Sequence, residues 1–268
     1  MITAVSHLAF AADDVEAAAA DYEILLDRKA ARLQSADGKP LCRFQLSNIA
    51  FEISAADDRG EGLKSIGFEA ADIDATLRKL TRRGLAAGEI VEQRFSPQAG
   101  GAGLTRRFAD IATASTHGVA MSVVETLDVA DGAPAGSSVS GLDHVVIRSP
   151  NPERAVALYG GRLGLDFALD RTNKDWGSRL LFFVCGGVRV EIGHSLAKGV
   201  SDLPDSLWGL AWRVSDMVET QAKLERAGVN TSDGKAGRRP GSQVLTVRSG
   251  TRNVPTIMLS AVPKDAAA

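Results

Sequence analysis

The chain has 268 residues, 44% of them hydrophobic and 24% charged, the composition of a soluble globular protein long enough for two ordinary domains. With 31 basic and 33 acidic residues the formal charge is −2, so nothing electrostatic points to nucleic acid or an anionic membrane. No apolar run approaches the roughly 18 residues of a membrane span, and no basic-then-apolar export signal opens the sequence. Cys42 and Cys185 lie in apolar, strand-like runs without disulfide or zinc spacing. Buried free thiols in a reducing, cytoplasmic setting are therefore expected.

In chain order, VSHLAFAADDVEAAAADY reads as a strand carrying His7, a polar cap at Asp14 and a helix bearing Tyr22. Two short β-like runs follow, LCRFQLS and IAFEIS. SIGFEAADIDATLRKLTRRGL repeats the strand, cap and helix, with Asp72 as cap and Gly84 where the helix would end, before the run VAMSVVE. Asp128 to Ser140, DVADGAPAGSSVS, is small, polar and rich in Gly, Pro and Ser, which predicts a linker between domains at 1–127 and 141–263.

Beyond the linker, LDHVVIRSPNPERAVALY aligns with the first stretch without gaps. His144 falls on His7 and Tyr159 on Tyr22 at one offset of 137 residues. Asn151 followed by Pro152 is a good N-cap with proline at the first helical position, and Gly164 marks the helix end. RLLFFVC and VRVEIG are the next β-like runs. GLAWRVSDMVETQAKLERAGV then matches the second unit, Asp216 to Asp72, Leu224 to Leu80 and Gly228 to Gly84, before SQVLTVRS and VPTIMLS. The chain reads β-α-β-β-β four times, an α+β protein.

Four such units resemble the vicinal oxygen chelate superfamily of glyoxalases, bleomycin-resistance proteins and extradiol dioxygenases. The resemblance spans nearly the whole chain outside the linker and C-terminal tail, and is strongest from Gly141 to Glu191. SLWGLAWRV, GRRPGS and ATASTHGVAMSVVE are similar to segments of a glyoxalase-like, two-domain branch. The resemblance implies two domains, each with two units forming a cup-shaped mixed sheet around a small-molecule site that often holds a divalent metal.

It also implies four ligand positions per cup, one on the first and one on the last strand of each unit. Counting back seven residues from each helix cap places these at His7, Ser65, His144 and Gly209. Counting four past each preceding turn places the others at Glu52, Ser122, Glu191 and Ile257. Units one and three keep a His/Glu pair; units two and four have lost theirs. An extradiol dioxygenase or glyoxalase I needs a fuller set, and zinc sites generally show three or four protein ligands. Without a metal, each pair is a hydrogen bond across neighbouring strands or a substrate contact. No metal is favoured. The alternative is a divalent ion ringed by His7, Glu52, His144 and Glu191, which would require units one and three to pair.

Alternation across strands sorts the remaining residues. In the second cup Arg148 shares a face with His144, Arg189 with Glu191, and Arg213 with Gly209, which is taken to leave room. Three cations against one carboxylate suit an anionic or enolate-bearing ligand. The first cup, with His7, Ala9, Ala50, Glu52, Ser65, Gly67 and Glu69, reads as smaller and net acidic, and so as scaffold. Trp176 stands in a stretch able to close over a ligand. His194 reads as a rim residue, His117 as a turn residue, and Trp208 and Trp212 as packed beneath a helix. GRRPG, Gly237 to Gly241, reads as an exposed basic turn or an anion clamp. GGAG at Gly100 to Gly103 lacks the Lys-Ser/Thr of a phosphate loop, and no G-x-S-x-G elbow is present.

Two functions fit. One is a glyoxalase-like isomerase, lyase or epimerase acting on a small anionic carbonyl compound. In it Glu191 would be the base, His144 its partner, and Arg189, Arg148, Arg213, Trp176 and His194 substrate contacts. The other is a non-catalytic, drug-sequestering binder of the bleomycin-resistance type, which an aromatic content of 5% makes less natural. Four units in one chain complete both cups without a partner and leave a homodimer open.

Overall fold

A computed structural model describes residues 1–100, 102–128, 137–237 and 240–260. Residues 129–136 of the predicted linker and Arg238 and Arg239 of GRRPG lie outside that description. The first unit contributes β1 (Ile2–Ala12), α1 (Val15–Leu26), β2 (Ala31–Ser35), β3 (Pro40–Gln45) and β4 (Ala50–Ala55). The second contributes β5 (Gly62–Ala70), α2 (Ile73–Arg82), β6 (Val91–Pro97), β7 (Leu104–Ile111) and β8 (Ala120–Asp128). In the third, β9 (Val139–Arg148) leads into α3 (Pro152–Ala155), then β10 (Asp166–Asn173), β11 (Ser178–Cys185) and β12 (Val188–Ser195). The fourth holds β13 (Ser206–Val214), α4 (Met217–Arg226), β14 (Lys235–Ala236), β15 (Gln243–Val247) and β16 (Thr256–Ser260).

The helices start where the caps predict. The side chains of Asp14, Asp72, Asn151 and Asp216 each accept a hydrogen bond from the backbone N–H three residues on. The third helix departs from the pattern. After one α-helical turn it continues as a π-helix, Val156–Arg162, where Gly160 and Gly161 lower helix propensity, and it ends before Gly164 at φ 77°.

Unit one pairs with unit two, and three with four. β1 and β5 run antiparallel at the centre of the first sheet, flanked in parallel by β4 and β8. β9 and β13, flanked by β12 and β16, repeat this in the second. The two sheets nevertheless end differently. The first is a closed barrel, sealed where Leu33, Gln34 and Ser35 of β2 pair with Pro97, Ser96 and Phe95 of β6. The second is open, with β10 and β14 at its margins. The two margins differ in length: β6 has seven residues, its counterpart β14 two. The two cup-shaped mixed sheets are thus present, the first curled shut into a barrel and the second left open.

A single apolar core runs through both halves. Trp212 is fully buried, and its ring meets Phe51 of the first half edge-on at 5.7 Å, with Tyr22 of α1 4.4 Å from Phe51. Asn48 joins the halves through polar contacts. Its side chain donates to the carbonyls of Leu142 and Gly187 at 2.8 Å each and accepts from the Leu142 N–H at 3.0 Å. Both cysteines are buried free thiols.

Candidate functional site in the open second sheet

β9 carries His144 onto the concave face, and β12, parallel beside it, carries Glu191. His144 Nε2 lies 3.3 Å from Glu191 Oε2. Across β11, Phe182 stands opposite Glu191 and Leu180 opposite Gly193, so the wall beside the pair is apolar. The Phe182 ring is edge-on to His144 at 6.0 Å. On the other side, Ile257 of β16 pairs with Ala211 of β13 and extends that wall. A half-open apolar cup with a few convergent polar groups is the usual form of a small-molecule site.

Sequence alternation missed one member of the cluster. Asp143 Oδ1 accepts from His144 Nδ1 at 2.9 Å and from an Arg189 guanidinium nitrogen at 2.8 Å, and Arg213 lies 3.6 Å from Oδ2. Burial alone would raise this carboxyl, but the hydrogen bond from His144 and the charges of Arg189 and Arg213 hold its pKa at about 2. The three predicted cations therefore face two carboxylates, and two of the cations are paired with Asp143. Arg213 also donates to the carbonyls of Leu142 and Gly187.

The remaining cation, Arg148, stacks on the Trp208 indole at 4.2 Å from the ring centroid. Trp208 is thus partly exposed at the cup's mouth and not beneath a helix. Strand register places the β10–β11 turn, with the exposed Trp176, at the same end of the sheet. His194 is corrected: it is buried on the core face and its Nδ1 contacts the Ser149 carbonyl at 3.1 Å, away from the rim. His117 sits in a turn, at φ 57°. Gly209 offers no vacancy, because a side chain there would meet the Pro255 carbonyl oxygen.

The first barrel holds the equivalent pair, and it is closed in. Glu52 is buried between two arginines, 3.1 Å from Arg43 Nε and 3.0 Å from an Arg106 guanidinium nitrogen, with His7 at 3.9 Å. The barrel interior is therefore not net acidic, as its first and last strands alone suggested. Leu33, Leu41 and Leu104, with Phe95 against them, form a separate apolar plug among β2, β3, β6 and β7.

Register tests the four ligand positions. His144 pairs with Ala211 and Val146 with Gly209, so the twofold between β9 and β13 relates His144 to Gly209; Glu191 and Ile257 are related likewise. His7 and Ser65 correspond through His7 with Gly67 and Ala9 with Ser65. His7 and Glu52 lie in one sheet, His144 and Glu191 in the other, so these four cannot ring one ion. Gly209 and Ile257 supply no donor, and Glu52 is committed to arginines. Among the described residues no group of three or more His, Cys, Asp or Glu could hold a metal. The donor set does not fit the superfamily's divalent ion.

Residues 143–246 match the family described as the Glyoxalase/Bleomycin resistance protein/Dioxygenase superfamily. Among similar solved structures is a mutant 4-hydroxymandelate synthase from Streptomyces coelicolor, 15% identical, covering 97% of this chain and 92% of that one with a TM-score of 0.69. The Mn(II)-bound glyoxalase from Novosphingobium aromaticivorans is 17% identical over 98% of this chain and 83% of that one, with a TM-score of 0.67. BphC, a halotolerant catechol dioxygenase, is 12% identical over 97% and 87%, with a TM-score of 0.64. No curated protein matches the chain. At these identities the structural likeness is one of fold. The chain has the fold of the vicinal oxygen chelate superfamily, and the family match itself falls on residues 143–246. Within that fold, this is a four-module protein with one sheet sealed into a barrel and one left open.

Proposed function

We propose that the open second sheet is the site of a glyoxalase-like isomerase, epimerase or lyase acting on a small anionic carbonyl compound. The observation that carries the reading is the His144–Glu191 pair, 3.3 Å apart on the wall of an open apolar cup. Glu191 removes the proton alpha to the carbonyl, and the bonding pair moves into the carbonyl group to give an enolate. The positive charges of Arg189 and Arg213 lie beside that developing charge. Return of the proton to the same or a neighbouring carbon completes an epimerisation or isomerisation; loss of a β-substituent completes a lyase reaction. Arg148, held flat on Trp208 at the mouth, takes the substrate's anionic group. A cytoplasmic setting and a small-molecule ligand belong to this reading.

A second reading, a sequestering binder, draws on the same apolar wall of Leu180, Phe182 and Ile257 and on the exposed Trp176 and Trp208. Proton exchange separates the two. In D2O, with a panel of small 2-oxo and 2-hydroxy acids and their thioesters, the wild type should wash deuterium into the alpha position of at least one compound. Glu191→Gln should lower that rate by roughly 10²–10⁴-fold. Saturable binding without exchange would establish the binder.

A further inference from the structure

β9 and β1 carry the same irregularity. Between Ala211–His144 and Trp212–Leu142 the register slips by one residue, so Asp143 has no ladder partner. Between His7–Gly67 and Val5–Phe68 it slips identically, and the extra residue is Ser6. A bulge of this kind turns its extra residue away from strict alternation. In the second half this brings the Asp143 carboxylate to His144 Nδ1. In the first half the bulge brings no carboxylate, and among the described residues His7 Nδ1 is buried without a hydrogen-bond partner. The backbone device is therefore shared by both copies, and the residue placed on it is what differs.

We infer that Asp143 is a positioning residue that locks the His144 ring with its proton on Nδ1 and leaves Nε2 turned to Glu191. An ionised carboxylate only accepts hydrogen bonds, so Nδ1 must donate. Nε2 then faces Glu191 Oε2 at 3.3 Å. Arg189 and Arg213 keep Asp143 charged and fixed from its far side. When Glu191 has taken a proton from carbon, Nε2 of the neutral Nδ1–H ring accepts it from Glu191 and gives it back for return to carbon. This last step rests on the enzymatic reading above; the tautomer does not.

The test is ¹⁵N–¹H correlation of the histidine rings in full-length protein without ligand, with His144 assigned by its loss in His144→Gln. The wild type should show His144 protonated at Nδ1 and a downfield Nδ1–H proton. Asp143→Asn can instead donate to Nδ1, so the ring should switch to the Nε2–H form while the other three histidines stay unchanged. Asp143→Ser, the first-half residue at this position, should release the ring to a mixture and serves if the Asn variant folds poorly. A wild-type His144 protonated only at Nε2, or a tautomer unchanged in both variants, would overturn the inference. Where wild-type protein exchanges deuterium into a compound, Asp143→Asn should lower the rate by roughly 10²–10⁴-fold with its KM little changed, as expected for a wrong tautomer. Absence of exchange in the wild type would remove the enzymatic reading and leave the tautomer result standing.

Discussion

The carbonyl oxygen of Pro255 lies 2.7 Å from the point where a side chain on Gly209 would begin, and the same oxygen accepts the Leu210 N–H at 2.9 Å. The position that would carry a second histidine ligand is thus occupied by the backbone entering β16. Gly209→His must push that backbone aside, and overpacking of this kind costs about 1–3 kcal/mol. Urea unfolding should show that loss, and calorimetric titration with Mn(II) or Zn(II) should show no stoichiometric high-affinity site in either protein. A Gly209→His protein as stable as the wild type that takes up one ion would contradict this account of the site.

Acid should weaken the protein in two stages, both arising in the first half. Burial, with the charges of Arg106 and Arg43, lowers the His7 pKa from 6.5 to about 4 despite Glu52 nearby. Burial alone would raise Glu52, but Arg106, His7 and Arg43 hold it at about 2, below its ordinary 4.5. In both cases the unfolded chain binds protons that the folded chain refuses, so stability falls as pH falls. The His7 contribution is lost from about pH 6.5 towards 4, and that of Glu52 from about 4.5 towards 2. Urea midpoints at pH 7, 5 and 3 should decline in that order. His7→Gln should remove the upper stage and, because His7 is one of the charges that hold Glu52 down, narrow the lower one.

Trp212 is the largest fully buried side chain, and its partner Phe51 belongs to the other half. Trp212→Ala should cost about 3–5 kcal/mol. Because the core is continuous, both halves should lose stability in one calorimetric transition. Two separated transitions, with only the second half shifted, would show that the halves fold independently.

The repeat was legible because it rests on local physics. Caps at Asp14, Asp72, Asn151 and Asp216, alternation that put His144 and Arg148 on one face, and a fixed offset all survive in the structure. What was not legible depends on pairing between distant strands. β2, β6, β10 and β14 have weak apolar alternation, so neither the seal between β2 and β6 nor the shortness of β14 could be read. Arg43 and Arg106 reach Glu52 from strands the ligand count had not considered. Asp143 was hidden for a different reason: a bulge breaks the period-two rule by which its side chain was assigned, although the residue stands beside His144 in sequence. His194 stands three residues after Glu191, so alternation puts it on the opposite face, and that face is core and not rim.

A cylinder of paired strands has no margin. Sealing the first sheet removed every lateral backbone edge from that half, so among the described residues the free sheet edges are those of β10 and β14, on either side of the cup. Any strand this protein takes on, its own or another molecule's, can therefore add only to the half that carries His144 and Glu191. Of the two copies of the fold, one presents a closed wall and the other an unsewn seam beside His144 and Glu191.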